Sequence, residues 1–175
     1  IGHGAPAPEL VREELDVPKT FRDYNRVASF FTRGCNAASP TQYGSTVAIG
    51  NVVVSPSEFM PRLFAENGRL LDSQGRITLD TPEALRALEN YRETYSYSDR
   101  TIYDFWKNAL EGFADGTAAM TVVFINYASH ILNSQMSRIA GKLGFAPVPG
   151  GKPLLGGGVI GITQSCTCPA AACKF

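Results

Sequence analysis

The run from Phe105 to Gly158 constrains the fold more than any other part of the chain. Phe105, Trp106, Ala109, Leu110 and Phe113 fall at the spacing of one apolar helical stripe. Asp115-Gly116 reads as its stop, because glycine tolerates the left-handed position that ends many helices. Ala118 to Phe124 is a short continuous apolar run without helical periodicity, which suits a buried strand. A second helix is expected from Ile125 to about Asn133. A second strand follows over Leu143 to Val148, broken by Pro149-Gly150-Gly151. Helix, strand, helix, strand at this spacing predicts a βαβ unit with parallel strands, and so an α/β fold.

Upstream, Glu9 to Leu15 reads as a short charged helix. Thr20 is a good N-cap, with Asp23 in the capping-box position and a stripe of Phe21, Tyr24, Val27, Ala28 and Phe31 behind it. Ser45 to Val54 is strand-like but interrupted at Gly50-Asn51. Pro56 suits the first turn of a helix running to Asn67 with Gly68 past its end, and Pro61 predicts a kink or a late start. Arg69 to Leu79 reads as two extended pieces about a Ser73-Gln74-Gly75 turn. Thr81 and Pro82 open the next helix, with Ala84, Leu85, Leu88, Tyr91 and Tyr95 as its stripe.

Composition narrows the function classes. The 175 residues carry 16 basic and 16 acidic side chains, net zero, which gives no electrostatic case for nucleic acid or an anionic membrane. No apolar run approaches the roughly 20 residues that span a bilayer. The two histidines, His3 and His130, have no Glu or His at metal-ligand spacing. Cys35, Cys166, Cys168 and Cys173 include a C-x-C-x4-C cluster, which is not the C-x2-C knuckle of zinc sites; free or partly paired thiols are the plain reading, with one disulfide or a metal site as alternatives. Asp72-Ser73-Gln74-Gly75 lacks the later ligands of a calcium loop and reads as a turn. No phosphate loop, nucleophile elbow or paired catalytic carboxylate is present, so no metal, cofactor or catalytic residue is assigned and the residues argue against an enzyme. The chain opens on Ile1 rather than Met and stops at Phe175 inside an apparent helix start, PAAACKF, so a longer natural protein is expected.

Taken in order, VPKTFRDYNRVASFF, FMPRLFAENGRLLDSQGRITLDTPEALRALENY, FADGTAAM, SRIAGKLGFAPVPGG, LGGGVIGI and PAAACKF resemble the extracellular solute-binding protein family 1 of ABC importers, the sugar-type binding proteins. The resemblance covers nearly the whole chain. It implies a periplasmic-binding-protein-like (type II) fold, of which this chain carries mostly one of two α/β lobes. Residues 1–145 would form the second lobe, and residues 146–175 a crossing strand and the start of the return into a first lobe that is otherwise absent.

The resemblance also implies a non-catalytic receptor without a cofactor. It would bind a small-molecule solute, a sugar foremost, and deliver it by cleft closure to the membrane subunits of an ABC permease. The location would be periplasmic or extracellular, with the full-length protein membrane-anchored. Ligand-binding residues carried over by position are Glu58, Phe59, Phe124, Asn126, Tyr127, Gly157 and Gly158, with Tyr43 a weaker candidate. Phe124 or Tyr127 would stack on a sugar face and Asn126 would bond hydroxyls. The aromatic that often follows Gly-Gly in the family is Val159 here. A polyol, glycerol phosphate or polyamine receptor, or an enzyme or sensor on the same lobe, stands as the alternative. The exposed edge of an isolated lobe is a candidate surface for self-association.

Overall fold

The computed structural model describes residues 15–50, 52–100, 106–157 and 161–174. The helix expected from Glu9, and also Phe105 and Gly158, lie outside them. The first described helix, α1 (Phe21–Phe30), starts where the cap predicts: the Asp23 N–H donates to Thr20 Oγ1 at 3.1 Å, and the Thr20 hydroxyl donates to the Asp23 carboxylate at 2.8 Å. Its inner face buries Phe21, Tyr24, Asn25, Val27 and Ala28.

Strand β1 (Tyr43–Ser45) pairs in parallel with β2 (Ala118–Met120), Tyr43 opposite Ala118 and Ser45 opposite Met120. A parallel pair needs a long crossover. Here, among the described residues, it carries three helices: α2 (Val54–Ala65), α3 (Pro82–Ser96) and α4 (Trp106–Ala114). The βαβ unit expected from Ala118–Phe124 and Leu143–Val148 does not form; the parallel partner of β2 is β1. Leu143 to Val148 forms no strand, since Pro147 and Pro149 remove ladder donors. The strand expected over Ala118 to Phe124 ends at Met120. The strand-like run after Ser45 also ends early. Val47 and Ala48 are buried without a ladder, and Gly50, at φ 100°, turns the chain toward α2.

Helix α2 runs unbroken through Pro61. Its end differs from expectation by one residue. Asn67 takes the left-handed position at φ 63°, and Gly68 follows, its N–H donating to the Leu63 carbonyl at 2.9 Å. Gly68 is still required, because a Cβ there would run into the Leu63 side chain. The expected turn after α2 is present. Leu71 and Ile77 form an antiparallel bridge, and the Asp72 carboxylate accepts from the N–H groups of Gln74 (2.8 Å) and Arg76 (2.9 Å). Those backbone contacts turn the chain.

Helix α3 is capped by Thr81, whose side chain accepts from the Ala84 N–H at 3.2 Å. Its buried face is Ala84, Ala87, Tyr91 and Thr94, rotated from the expected stripe, and it leaves Leu85 and Leu88 57% and 54% exposed. The small alanines let α3 come close to α2, where Leu63 fills the gap between them with Phe59 and Leu70 alongside. Helix α4 buries Ala109, Leu110 and Ala114 and ends at Gly116 (φ 77°), with the Thr117 N–H donating to Gly112. Beyond β2, a 3-10 turn (Ile125–Tyr127) leads into the short α5 (Ala128–Leu132), and Ile131 closes a core cluster with Leu110 and Ala114. A single turn, α6 (Pro169–Ala172), stands where Pro169 predicts it. No helix among the described residues is long and apolar enough to cross a membrane.

Candidate functional site

The segment after β2, Trp106 and Phe113 of α4, the middle of α2 and the extended strap over residues 143–156 surround a concavity of about 1070 Å³. Its wall is mostly apolar and aromatic, with Trp106, Phe113, Met120, Val123 and Phe124, and its polar atoms come from Ser57, Glu58, Thr121 and Asn126 among others. That mixture suits a ligand with both C–H faces and hydroxyls.

Trp106 is the aromatic centre of the wall. Its ring meets Phe124 edge-on, centroids 5.3 Å apart at 80°, and lies 6.5 Å from Tyr127 at 40°. On its other side Phe124 is held by the strap: a Cβ on Gly156 would come within 2.8 Å of the ring. Gly156 therefore lets the backbone lie against the aromatic. Trp106 was assigned to the α4 core stripe by its spacing. The available signal was that it is the one tryptophan in the chain, at the start of a helix rather than in its middle.

Glu58 lines the concavity yet is only 6% exposed. Its carboxylate accepts from the Ala48 N–H at 3.2 Å and from Arg62 Nη1 at 3.3 Å, and Arg62 also donates to the Glu58 carbonyl. Arg62 is 2% exposed. Its guanidinium sits 4.6 Å from the centre of the Phe21 ring and 5.0 Å from that of Tyr91, with Nη2 reaching Thr94 Oγ1 at 3.4 Å. Thr94 in turn donates to the Asn25 side chain at 2.6 Å. Burial pushes the Glu58 carboxyl up from its ordinary range, against the opposing pull of Arg62 and the Ala48 N–H. The Tyr24 phenol, bonded to Ser45 Oγ at 2.8 Å, is pushed up to about 12 by burial, and burial raises Tyr91 to about 12 as well.

Of the residues singled out from the sequence, Glu58, Phe124 and Asn126 line the concavity. Tyr127 backs Trp106 and packs on the Ile131 cluster. Phe59 faces the other way, into the Leu63 cluster, because it is one residue (about 100° of helix) from Glu58. Gly157 lies outside the lining, in open space, and Tyr43 sits in β1 beside Ala118. Among the described residues no group of His, Cys, Asp or Glu gathers as a metal site, and the described cysteines are unpaired.

No family model matches the chain. The Escherichia coli K12 protein YcjN, named for an ABC transporter periplasmic-binding role, is 26% identical over 123 residues, which is 70% of this chain and 26% of that protein. A solute-binding protein of an ABC transporter from Agrobacterium radiobacter K84, solved with ribitol, superposes with a TM-score of 0.68 at 22% identity, over 77% of this chain and 33% of its own. The fold is a lobe of the type II periplasmic-binding-protein class. Maltose-bound MalE3 of T. maritima agrees, with a TM-score of 0.61 at 24% identity over 79% of this chain and 36% of its own. The periplasmic-binding-protein-like chain therefore spans between a quarter and somewhat over a third of the length of these relatives.

Proposed function

We propose that this chain is the greater part of one lobe of a non-catalytic, extracytoplasmic receptor for a sugar or polyol, which passes its ligand to an ABC permease. The observation that carries the reading is a type II lobe whose concave face combines an aromatic wall, Trp106 against Phe124, with the polar groups of Ser57, Glu58 and Asn126. Residues 1–145 then form the second lobe and 146–175 the crossing and return segment. A first lobe encoded outside this chain supplies the opposite face. Ligand contacts to both faces favour the closed form, and closure is what the permease reads. The named roles of the relatives support this assignment.

Within the site, Trp106 and Phe124 take the C–H faces of the ligand, while Glu58 and Asn126 take hydroxyls. Calorimetric titration of the two-lobed parent protein with ribitol, maltose, glycerol 3-phosphate and spermidine should give a saturable response for a polyol or sugar. Trp106→Ala should weaken that binding at least about tenfold, near 1.4 kcal/mol. A saturable response to spermidine alone, or chemical turnover of any of these solutes, would refute the reading.

A further inference from the structure

The lining of the concavity contains one formally charged side chain, that of Glu58; no Arg, Lys, His or Asp is among the described lining residues. Arg62, which balances it, lies behind it and outside the lining. We propose that Glu58, backed by Arg62, makes this half of the cleft select uncharged polyhydroxylated solutes and reject their phosphorylated forms. The proposal rests on the receptor reading above.

Three features carry it. A carboxylate has about four lone-pair sites. Ala48 and Arg62 occupy one on each oxygen, Oε1 and Oε2. The remaining capacity is acceptor-only, which fits hydroxyl donors. Second, Arg62 cannot swing out to meet an anion. It is held between the Phe21 and Tyr91 rings, by Thr94 and by the Glu58 carbonyl. A phosphate entering the cavity therefore meets the carboxylate first, and like charges in a partly desolvated site repel strongly. Third, the Glu58 carboxylate is held in place by an ion pair, with Arg62 Nη1 at 3.3 Å. Discrimination against an anion then comes from a repulsive element as much as from an attractive one.

The test is calorimetric titration of the two-lobed parent protein with ribitol against ribitol 5-phosphate, and with maltose against maltose 1-phosphate. The wild type should favour the uncharged member of at least one pair by about tenfold or more. Because Glu58→Gln alone leaves Arg62 unbalanced, the double variant E58Q/R62M, which removes both charges at similar volume, is titrated beside it. Its preference should narrow to within about threefold. Phosphorylated ligands binding as tightly as neutral ones in the wild type would overturn the assignment to Glu58 while leaving the receptor reading standing. The same holds if the folded double variant keeps the full preference. Failure of all four to bind the wild type would instead refute the sugar or polyol receptor reading, and the selection with it.

Discussion

Arg62 is the side chain whose loss the structure predicts most sharply. It is 2% exposed and sits 3.3 Å from the Glu58 carboxylate. At that distance and an effective dielectric of about 20, the gross attraction is about 5 kcal/mol. The desolvation of both ions offsets much of it, so the pair's net worth is small. Removing one member is a different matter, because it strands the other in the interior, at a cost of about 3–5 kcal/mol. Arg62→Met keeps packing between the Phe21 and Tyr91 rings and isolates that charge term. Arg62→Ala further loses the two ring contacts, about 0.5–2 kcal/mol each. Urea unfolding followed by Trp106 fluorescence should give a loss of about 3–5 kcal/mol for R62M. For a chain of this size, each kcal/mol corresponds to a Tm drop of about 2–4 °C. The double variant E58Q/R62M should recover most of the loss, leaving a cost of about 1–2 kcal/mol or less. If R62M costs under about 1 kcal/mol, or the double variant is as unstable as the single, the claim that an uncompensated buried charge dominates is wrong.

Other consequences are as direct. Gly44→Ala should prevent α1 from seating on β1, because a Cβ there would overlap the Ala28 backbone carbonyl; an overpacking loss of about 3 kcal/mol or more is expected in urea unfolding. Leu85→Lys and Leu88→Glu should change stability by no more than about 0.5 kcal/mol, since both are exposed. Ala87→Leu, by contrast, should cost about 1–3 kcal/mol by forcing α3 away from α2. In an alkaline titration followed by phenolate absorbance, Tyr24 and Tyr91 should ionise near 12. Their folded values are raised. The stability they contribute is therefore complete below the unfolded tyrosine value of about 10 and is lost as pH rises from there through about 12. At the Asp72 turn the sign reverses. Hydrogen bonds from the Arg76 backbone and side chain hold that carboxyl low, so amide protection at Gln74 and Arg76 should persist above the ordinary Asp range and fade as pH drops below it.

What could be read in the chain was local. Thr20 with Asp23, Thr81 with Pro82, Asp115-Gly116 and the Asp72 turn each specify their conformation through bonds spanning a few residues, so their positions follow from the sequence order itself. The α/β class followed from the order of elements, whereas the parallel pair expected between Ala118–Phe124 and Leu143–Val148 does not form. The solute-receptor resemblance followed from motif order over the whole chain. Of the residues that the resemblance carries over as ligand-binding, Phe124, Asn126 and Glu58 line the concavity, and Phe59, Tyr127 and Gly157 do not.

Which strands pair, which face of α3 is buried and what Glu58 does were decided by tertiary packing. The strand that pairs with Ala118–Met120 is Tyr43–Ser45, mostly ahead of the strand-like run expected from Ser45 to Val54, and only the packed fold selects it over Leu143 to Val148. On α3 a leucine stripe and an alanine stripe compete. The close approach of α2 selects the small residues, against the ranking by hydrophobicity. Glu58 reads from the sequence as an exposed carboxylate on a helix, because its partners Ala48 and Arg62 meet it only once the loop after β1 folds over α2 and the rings of Phe21 and Tyr91, from two other helices, close on the guanidinium. The sequence determines each element's ends, since those bonds span a few residues. The fold decides which faces meet, because burial is a property of surfaces brought together from distant parts of the chain.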